Sequence, residues 1–200
     1  MTDLSEADLV QLARQYYSAG FPVSTDDHSQ DLLAYQRSPE HERWRAAWGR
    51  AMAWKEWDVL LSELETAFPN LVSADCTQPW MTACRRCCVY LERPLPDGAK
   101  FIMRVAAAAS ILAPLYVTYC TTATVKGGIQ KDLRFSFEPT TETREHTATL
   151  ANLVERILGY RPFPLRFTDT LMPEVRVGHI RGKEATLLDA FFDNHLENLF

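Results

Sequence analysis

Between Cys87 and Pro139 apolar and polar residues alternate with the two-residue period of strands, and the alternation breaks where turn residues cluster. Cys87-Cys88-Val89-Tyr90-Leu91-Glu92-Arg93 leads into Leu95-Pro96-Asp97-Gly98, in which proline presets φ and glycine accepts the left-handed region, so a hairpin is expected. Beyond it Phe101, Met103 and Val105 fall on one face and Ile102 and Arg104 on the other. Leu115, Val117 and Tyr119 make a third strand. Leu133, Phe135 and Phe137, alternating with Arg134 and Ser136 after Gly127-Gly128, make a fourth that Pro139 stops. The pattern predicts a meander of about four antiparallel strands over residues 86–138.

At its centre, Val105–Val125 is the longest run without a charge, 21 residues between Arg104 and Lys126. That length suits a membrane-spanning helix. Pro114 would interrupt such a helix, and the Thr, Tyr and Val of the second half suit a pleated, half-buried surface, so the run reads as a pair of buried strands. Ala106–Ala109 are strong helix formers, and a short helix before Pro114 is the alternative there.

Helical spacing dominates on both sides of the sheet. Ser5-Glu6-Ala7-Asp8 has the form of a capping box with Asp for Glu, followed by Leu9, Leu12, Ala13 and Tyr16 up to Gly20. Phe21–Arg37 reads as a polar loop. Ser38-Pro39-Glu40 then opens a long helix expected to reach Ala67, with Pro69 as its stop. It carries Trp44, Trp48, Trp54 and Trp57 in two offset stripes, which calls for burial around much of its circumference, with Ala106–Ala109 as a shallow surface for the rings. After the sheet, Thr140-Thr141-Glu142 opens a helix ending at Gly159. A proline- and glycine-rich stretch follows, with an edge strand at Glu174–Val177 and a last helix from about Glu184 to Asn194. The expected architecture is one α+β domain: helices over 1–70, the sheet over 86–138, and a helix, loops and a short helix over 140–200.

Composition, 46% hydrophobic and 24% charged, is that of an ordinary globular chain. The first ten residues lack a basic and an apolar segment, so no secretory signal is visible and a cytosolic product is expected, with its five cysteines reduced. Residues 1–80 hold 13 acids and 6 bases, whereas residues 81–200 hold 13 acids and 15 bases. An acidic N-terminal half argues against nucleic acid as a partner and suits a basic protein surface.

Chemical motifs are few. Cys84-Arg85-Arg86-Cys87 has the CxxC spacing of thiol oxidoreductases and zinc half-sites, and its two arginines would favour a thiolate. No second CxxC accompanies it and the five histidines are scattered, so buried, inert cysteines are the expectation, without metal or cofactor. No nucleophile elbow, P-loop, dinucleotide fingerprint or HExxH occurs, and no catalytic residue is assigned.

Pro96-Asp97-Gly98, Leu112-Ala113-Pro114-Leu115-Tyr116, Arg134-Phe135-Ser136-Phe137-Glu138-Pro139, Gly159-Tyr160, Pro173-Glu174-Val175-Arg176-Val177-Gly178 and Gly182-Lys183-Glu184-Ala185-Thr186-Leu187-Leu188-Asp189-Ala190-Phe191-Phe192 occur in an order that resembles a group of bacterial immunity proteins. Those proteins neutralise the toxins of contact-dependent and secretion-system-delivered killing. The Trp-rich helix and the Cys84 cluster lie outside the pattern. The resemblance, mainly over residues 96–192, implies a cytosolic protein without turnover that binds a cognate toxin and blocks its active site. A toxin with a basic site would suit the acidic half, and loops present contacts more readily than strands do. The expected partner-binding residues are therefore Asp26 and Asp27 in the first loop, Asp75 and Trp80 in the loop before the sheet, and Glu138 and Glu142 where the post-sheet helix begins. The alternative is a small cytosolic thiol-dependent enzyme or ligand-binding domain using Cys84 and Cys87.

Overall fold

The structure is a computed structural model of the chain and describes residues 4–19, 35–175, 177, 184–193 and 195–198. Its framework is an antiparallel meander in sequence order: β1 (Val72–Asp75), β2 (Cys84–Pro94), β3 (Lys100–Ser110), β4 (Leu115–Lys126) and β5 (Ile129–Ser136). A two-residue strand, β6 (Arg161–Pro162), lies parallel to the start of β4. The four strands read from the alternation are thus β2 to β5 of a six-stranded, mostly antiparallel sheet, which β1 extends beside β2 and β6 beside the start of β4. The two additional strands carry no apolar alternation. The four residues of β1 are exposed or half-exposed, and β6 is an Arg-Pro pair held by Arg161 N–H donating to the Pro114 carbonyl (3.1 Å) and Phe163 N–H to that of Tyr116 (2.8 Å).

The expected turn joins β2 to β3, with Gly98 at φ 76° and its N–H donating to the Leu95 carbonyl. Ala106–Ala109 lie within β3, paired with Cys88–Arg85 on one side and Tyr119–Tyr116 on the other, so the helical alternative does not occur. Both faces of this stretch are covered. Ala106 and Ala108 share a core with Trp48, Cys84, Cys88, Val117 and Tyr119, whereas Ala107 and Ala109 share another with Trp57, Cys87, Val105 and Tyr116. Strand alternation sends successive methyls to opposite sides, and small side chains leave volume for the large rings there.

The long tryptophan helix is in fact two, α2 (Pro39–Ala51) and α3 (Lys55–Ala67), following α1 (Glu6–Ala13). Ser38 caps α2, its hydroxyl accepting from His41 N–H, and Trp54 in extended backbone starts α3 without a side-chain cap. The offset between the two tryptophan stripes explains the break. Trp48 belongs to the core on one face of the sheet and Trp57 to the core on the other, and one straight helix cannot serve both. With Trp57 on the second face pack Leu60 and Leu64 of α3 and Leu150 and Val154 of α4 (Arg144–Leu158). The first face takes Leu9 of α1 and Phe191 of α5 (Leu187–Phe191), while β7 (Leu171–Met172) and β8 (Ala185–Thr186) form a separate small pair.

Boundaries shift where capping chemistry competes with periodicity. The Ser5–Asp8 capping box forms as expected, but α1 ends at Ala13 rather than near Gly20. Thr140–Thr143 make a hydrogen-bonded turn that delays α4 to Arg144, and Gly159 ends it at φ 67°. The expected edge strand at Glu174–Val177 is reduced, among the described residues, to a single bridge between Val175 and Ala19. The last helix is only five residues long. Most of the expected loop Phe21–Arg37, including Asp26 and Asp27, lies outside the described residues. Among those described, no helix is long and apolar enough to cross a membrane, and Val105–Val125 is divided between β3, a turn and β4.

Two-sided burial makes adjacent positions of β3 equally intolerant of added volume. Ala107→Leu and Ala108→Leu are each expected to destabilise the fold by about 1–3 kcal/mol in urea denaturation. A stretch with one solvated face would tolerate one of the two, and that outcome would refute the arrangement.

Candidate functional site

The chain between β1 and β2 forms a loop pinned at both ends. Cys76 N–H donates to the Arg86 carbonyl (2.8 Å), Arg86 N–H to Thr77 Oγ1 (3.0 Å), and Ala83 N–H to the Phe192 carbonyl (3.1 Å). Trp48 reaches the loop from α2, its Nε1–H donating to the Thr82 carbonyl at 2.8 Å. At the tip stands Trp80, with φ 66°, 48% exposed, its ring 5.9 Å from that of Trp48. Left-handed backbone at a bulky residue is uncommon, because the Cβ crowds the following carbonyl. Met81 beside it is 49% exposed and Met52, one helical turn after Trp48, is 52% exposed.

Trp80 ends a row of rings running along α2. Tyr35 to His41, His41 to Trp44, Trp44 to Trp48 and Trp48 to Trp80 are separated by 5.1, 5.7, 6.4 and 5.9 Å. Burial, and next the charge of Arg45, push the His41 imidazole below its ordinary pKa, which favours the neutral ring in this stack. The row follows the i, i+3, i+4 geometry of the helix and continues into a loop that no periodicity connects to it. Sequence reasoning found Trp80 alone and missed its neighbours, whose helical spacing reads as core.

Of the expected contact residues, Asp75 closes β1 instead of lying in a loop. Its carboxylate accepts from Trp57 Nε1 (3.1 Å), Arg85 Nη2 (3.3 Å) and Thr77 N–H (2.9 Å). Arg85 in turn stacks on Trp57 at 4.7 Å and donates to the Ala51 carbonyl. Asp75 therefore organises the base of the loop, with its side chain still about one third exposed (32%). Glu138 and Glu142 are exposed but follow β5, at the edge of the sheet opposite β1, so the structure does not bring them to Trp80. Asp26 and Asp27 lie outside the described residues.

The CxxC pair has no common site. Residues three apart on a strand point to opposite faces, and Cys84 packs with Trp48 while Cys87 packs with Trp57. Burial pushes the Cys84 thiol up to about 12 and that of Cys87 well above its ordinary range. The two intervening arginines are engaged elsewhere, Arg85 with Asp75 and Arg86 with Asp193 at 3.1 Å. Among the described residues no group of three or more His, Cys, Asp or Glu is placed to hold a metal ion. Comparison with family models, with curated proteins and with solved structures matches none of them to this chain.

Raised thiol pKa values and burial together predict inertness. At pH 8 iodoacetamide is expected to leave Cys84 and Cys87 unmodified in the folded protein and to modify both after denaturation, read by peptide mass spectrometry. Rapid labelling of either thiol in the folded state would contradict the geometry.

Proposed function

We propose that this protein works by stoichiometric, non-covalent binding of a toxin, as an immunity protein, and that the loop carrying Trp80 is the centre of the contact. The supporting observation is Trp80 itself: a half-exposed indole kept in a backbone conformation that costs about 1–2 kcal/mol for a residue with a Cβ. Strain of that kind is retained where the surroundings impose it, and such positions cluster at ligand clamps and binding loops. Tryptophan is also among the side chains most enriched at positions that dominate interface energies. Met81 and Met52 add adaptable apolar surface. Asp75, paired with Arg85 and still about one third exposed (32%), holds the base of this loop in place. The order of short motifs over residues 96–192 supports the same reading.

A glycine at position 80 separates the fold from the contact. Trp80→Gly relieves the left-handed strain while losing a half-exposed ring, so stability is expected to stay within about 1 kcal/mol of the parent. Affinity for the toxin is expected to fall by about 30-fold or more, the threshold of an interface hot spot, as measured by calorimetry. Glu138→Lys and Glu142→Lys, at the opposite edge, are expected to leave affinity unchanged. Loss of binding in those variants but not in Trp80→Gly would move the contact to the other edge.

The activity itself is tested by co-expressing the chain with the toxin-like product of a neighbouring gene and scoring survival. Protection that needs equimolar protein is expected. Equal killing with and without the chain, together with no complex by calorimetry, would remove the immunity reading for that toxin.

A further inference from the structure

The sulfurs that meet are not those of the CxxC motif. Cys76, the first residue after β1, and Cys88 of β2 have their Sγ atoms 3.4 Å apart. Cys88 faces Ala74 across the β1–β2 ladder, and the bond from Cys76 N–H to the Arg86 carbonyl extends that ladder past Asp75, so both thiols project to the face that carries Ala74. A disulfide requires about 2.05 Å between sulfurs and side chains that point toward one another. The sulfurs already meet at 3.4 Å, and because Cys76 stands diagonal to Cys88 rather than opposite it, closing the bond also draws the backbone of Cys76 inward. Cys76 sits where a four-residue edge strand gives way to a loop, which is where backbone adjusts most readily. Cys84, Cys87 and Cys120 lie buried at other positions of the sheet.

The surroundings also distinguish the two thiols. The hydrogen bond shared by the two sulfurs, and next the charges of Arg86 and Arg104, hold the Cys76 thiol below its ordinary pKa, while the same bond and burial push that of Cys88 up. Of the two, Cys76 is the more accessible, 7% exposed against 2% for Cys88.

We propose that Cys76 and Cys88 are an oxidation site, closing to a reversible intramolecular disulfide when the protein meets hydrogen peroxide. The Cys76 thiolate attacks one peroxide oxygen, breaking the O–O bond and leaving a sulfenic acid, and the departing hydroxide takes up a proton to become water. The Cys88 sulfur then attacks Cys76 Sγ; the S–S bond forms, the S–O bond breaks, and the proton of Cys88 leaves with the oxygen as a second water. Two thiols are oxidised by two electrons and one peroxide is reduced to two waters. A dithiol reductant reverses the step by exchange. The closed ring spans the loop that bears Trp80, so oxidation rigidifies that loop whatever partner it serves.

The test treats the full-length reduced protein with hydrogen peroxide, blocks remaining thiols with N-ethylmaleimide and maps peptides without reduction. One Cys76–Cys88 linkage within the chain is expected, with Cys84, Cys87 and Cys120 alkylated only after unfolding. The melting temperature is expected to rise by on the order of 5 °C and to return with dithiothreitol. In Cys88→Ser, Cys76 is expected to stop at the sulfenic acid and to be trapped by dimedone. Cys76 and Cys88 both recovered as thiols, Cys76 carried to sulfinic acid with Cys88 untouched, or linkage between chains would each overturn the proposal. The map of the parent protein decides this even where a variant fails to fold.

Discussion

The middle of β3 has no side that faces water, and this constraint shapes the rest of the molecule. Following Val105, the four residues Ala106–Ala109 pass between two ladders with a core on each face. Alanine burial alone contributes little. The large contributions come from the rings it admits, Trp48 and Tyr119 on one side, Trp57 and Tyr116 on the other, each removing far more apolar surface from water than a methyl does. Serving two faces with one tryptophan-rich segment is what divides it after Ala51, and the three residues between α2 and α3 carry the chain from one layer to the other.

The first face also buries charge. Arg86 is fully buried and donates through Nη1 to Asp193 (3.1 Å) and to the carbonyls of Asn198 (3.3 Å) and His195 (3.5 Å). Its Nε and Nη2, with Tyr119 OH and Thr121 Oγ1, have no partner among the described residues. Burial pushes the Asp193 carboxyl above its ordinary range and the pull of Arg86 only partly opposes it. Desolvation of that kind takes back much of what the ion pair supplies, so the pair contributes more to where the C-terminal segment docks than to how tightly the fold holds. Leaving one partner alone would be worse than lacking both, because an unpaired charge would remain in a dry core.

Both features converge on the loop between β1 and β2. Trp48, seated over the alanines' face, anchors it through Thr82 and supports the ring of Trp80, while Arg86 and Asp75 fix its base through Thr77. An exposed indole on rigid supports loses little conformational entropy when a partner covers it, which is the physical basis for reading the loop as a contact surface. The Cys76–Cys88 pair lies in the same base, so the disulfide proposed there would stiffen the loop that bears Trp80.

Local chemistry was legible in the sequence wherever one residue suffices to impose a conformation. Ser5 and Ser38 as caps, Gly98 and Gly159 in left-handed backbone, and strands in meander order occur as read, because caps, turns and extended segments act over a few residues. The one-sided alternation does not carry through to burial, since β3 is covered on both faces and every residue of β5 is exposed, with Phe137 beyond its end. Trp80 was singled out for lying outside a helix, and it is exposed. The tertiary structure alone decided the rest. Ala106–Ala109 favour a helix by propensity and became a strand because ladders on both sides satisfy their backbone groups. The CxxC spacing suggests a dithiol, yet an extended chain turns its two sulfurs to opposite faces, while Cys76 and Cys88, twelve residues apart, meet across a ladder. Asp75 and the ring row from Tyr35 to Trp80 owe their roles to neighbours far along the chain. Sequence specifies which conformations each segment can hold; which surfaces meet is settled only when the layers pack and the buried polar groups find partners.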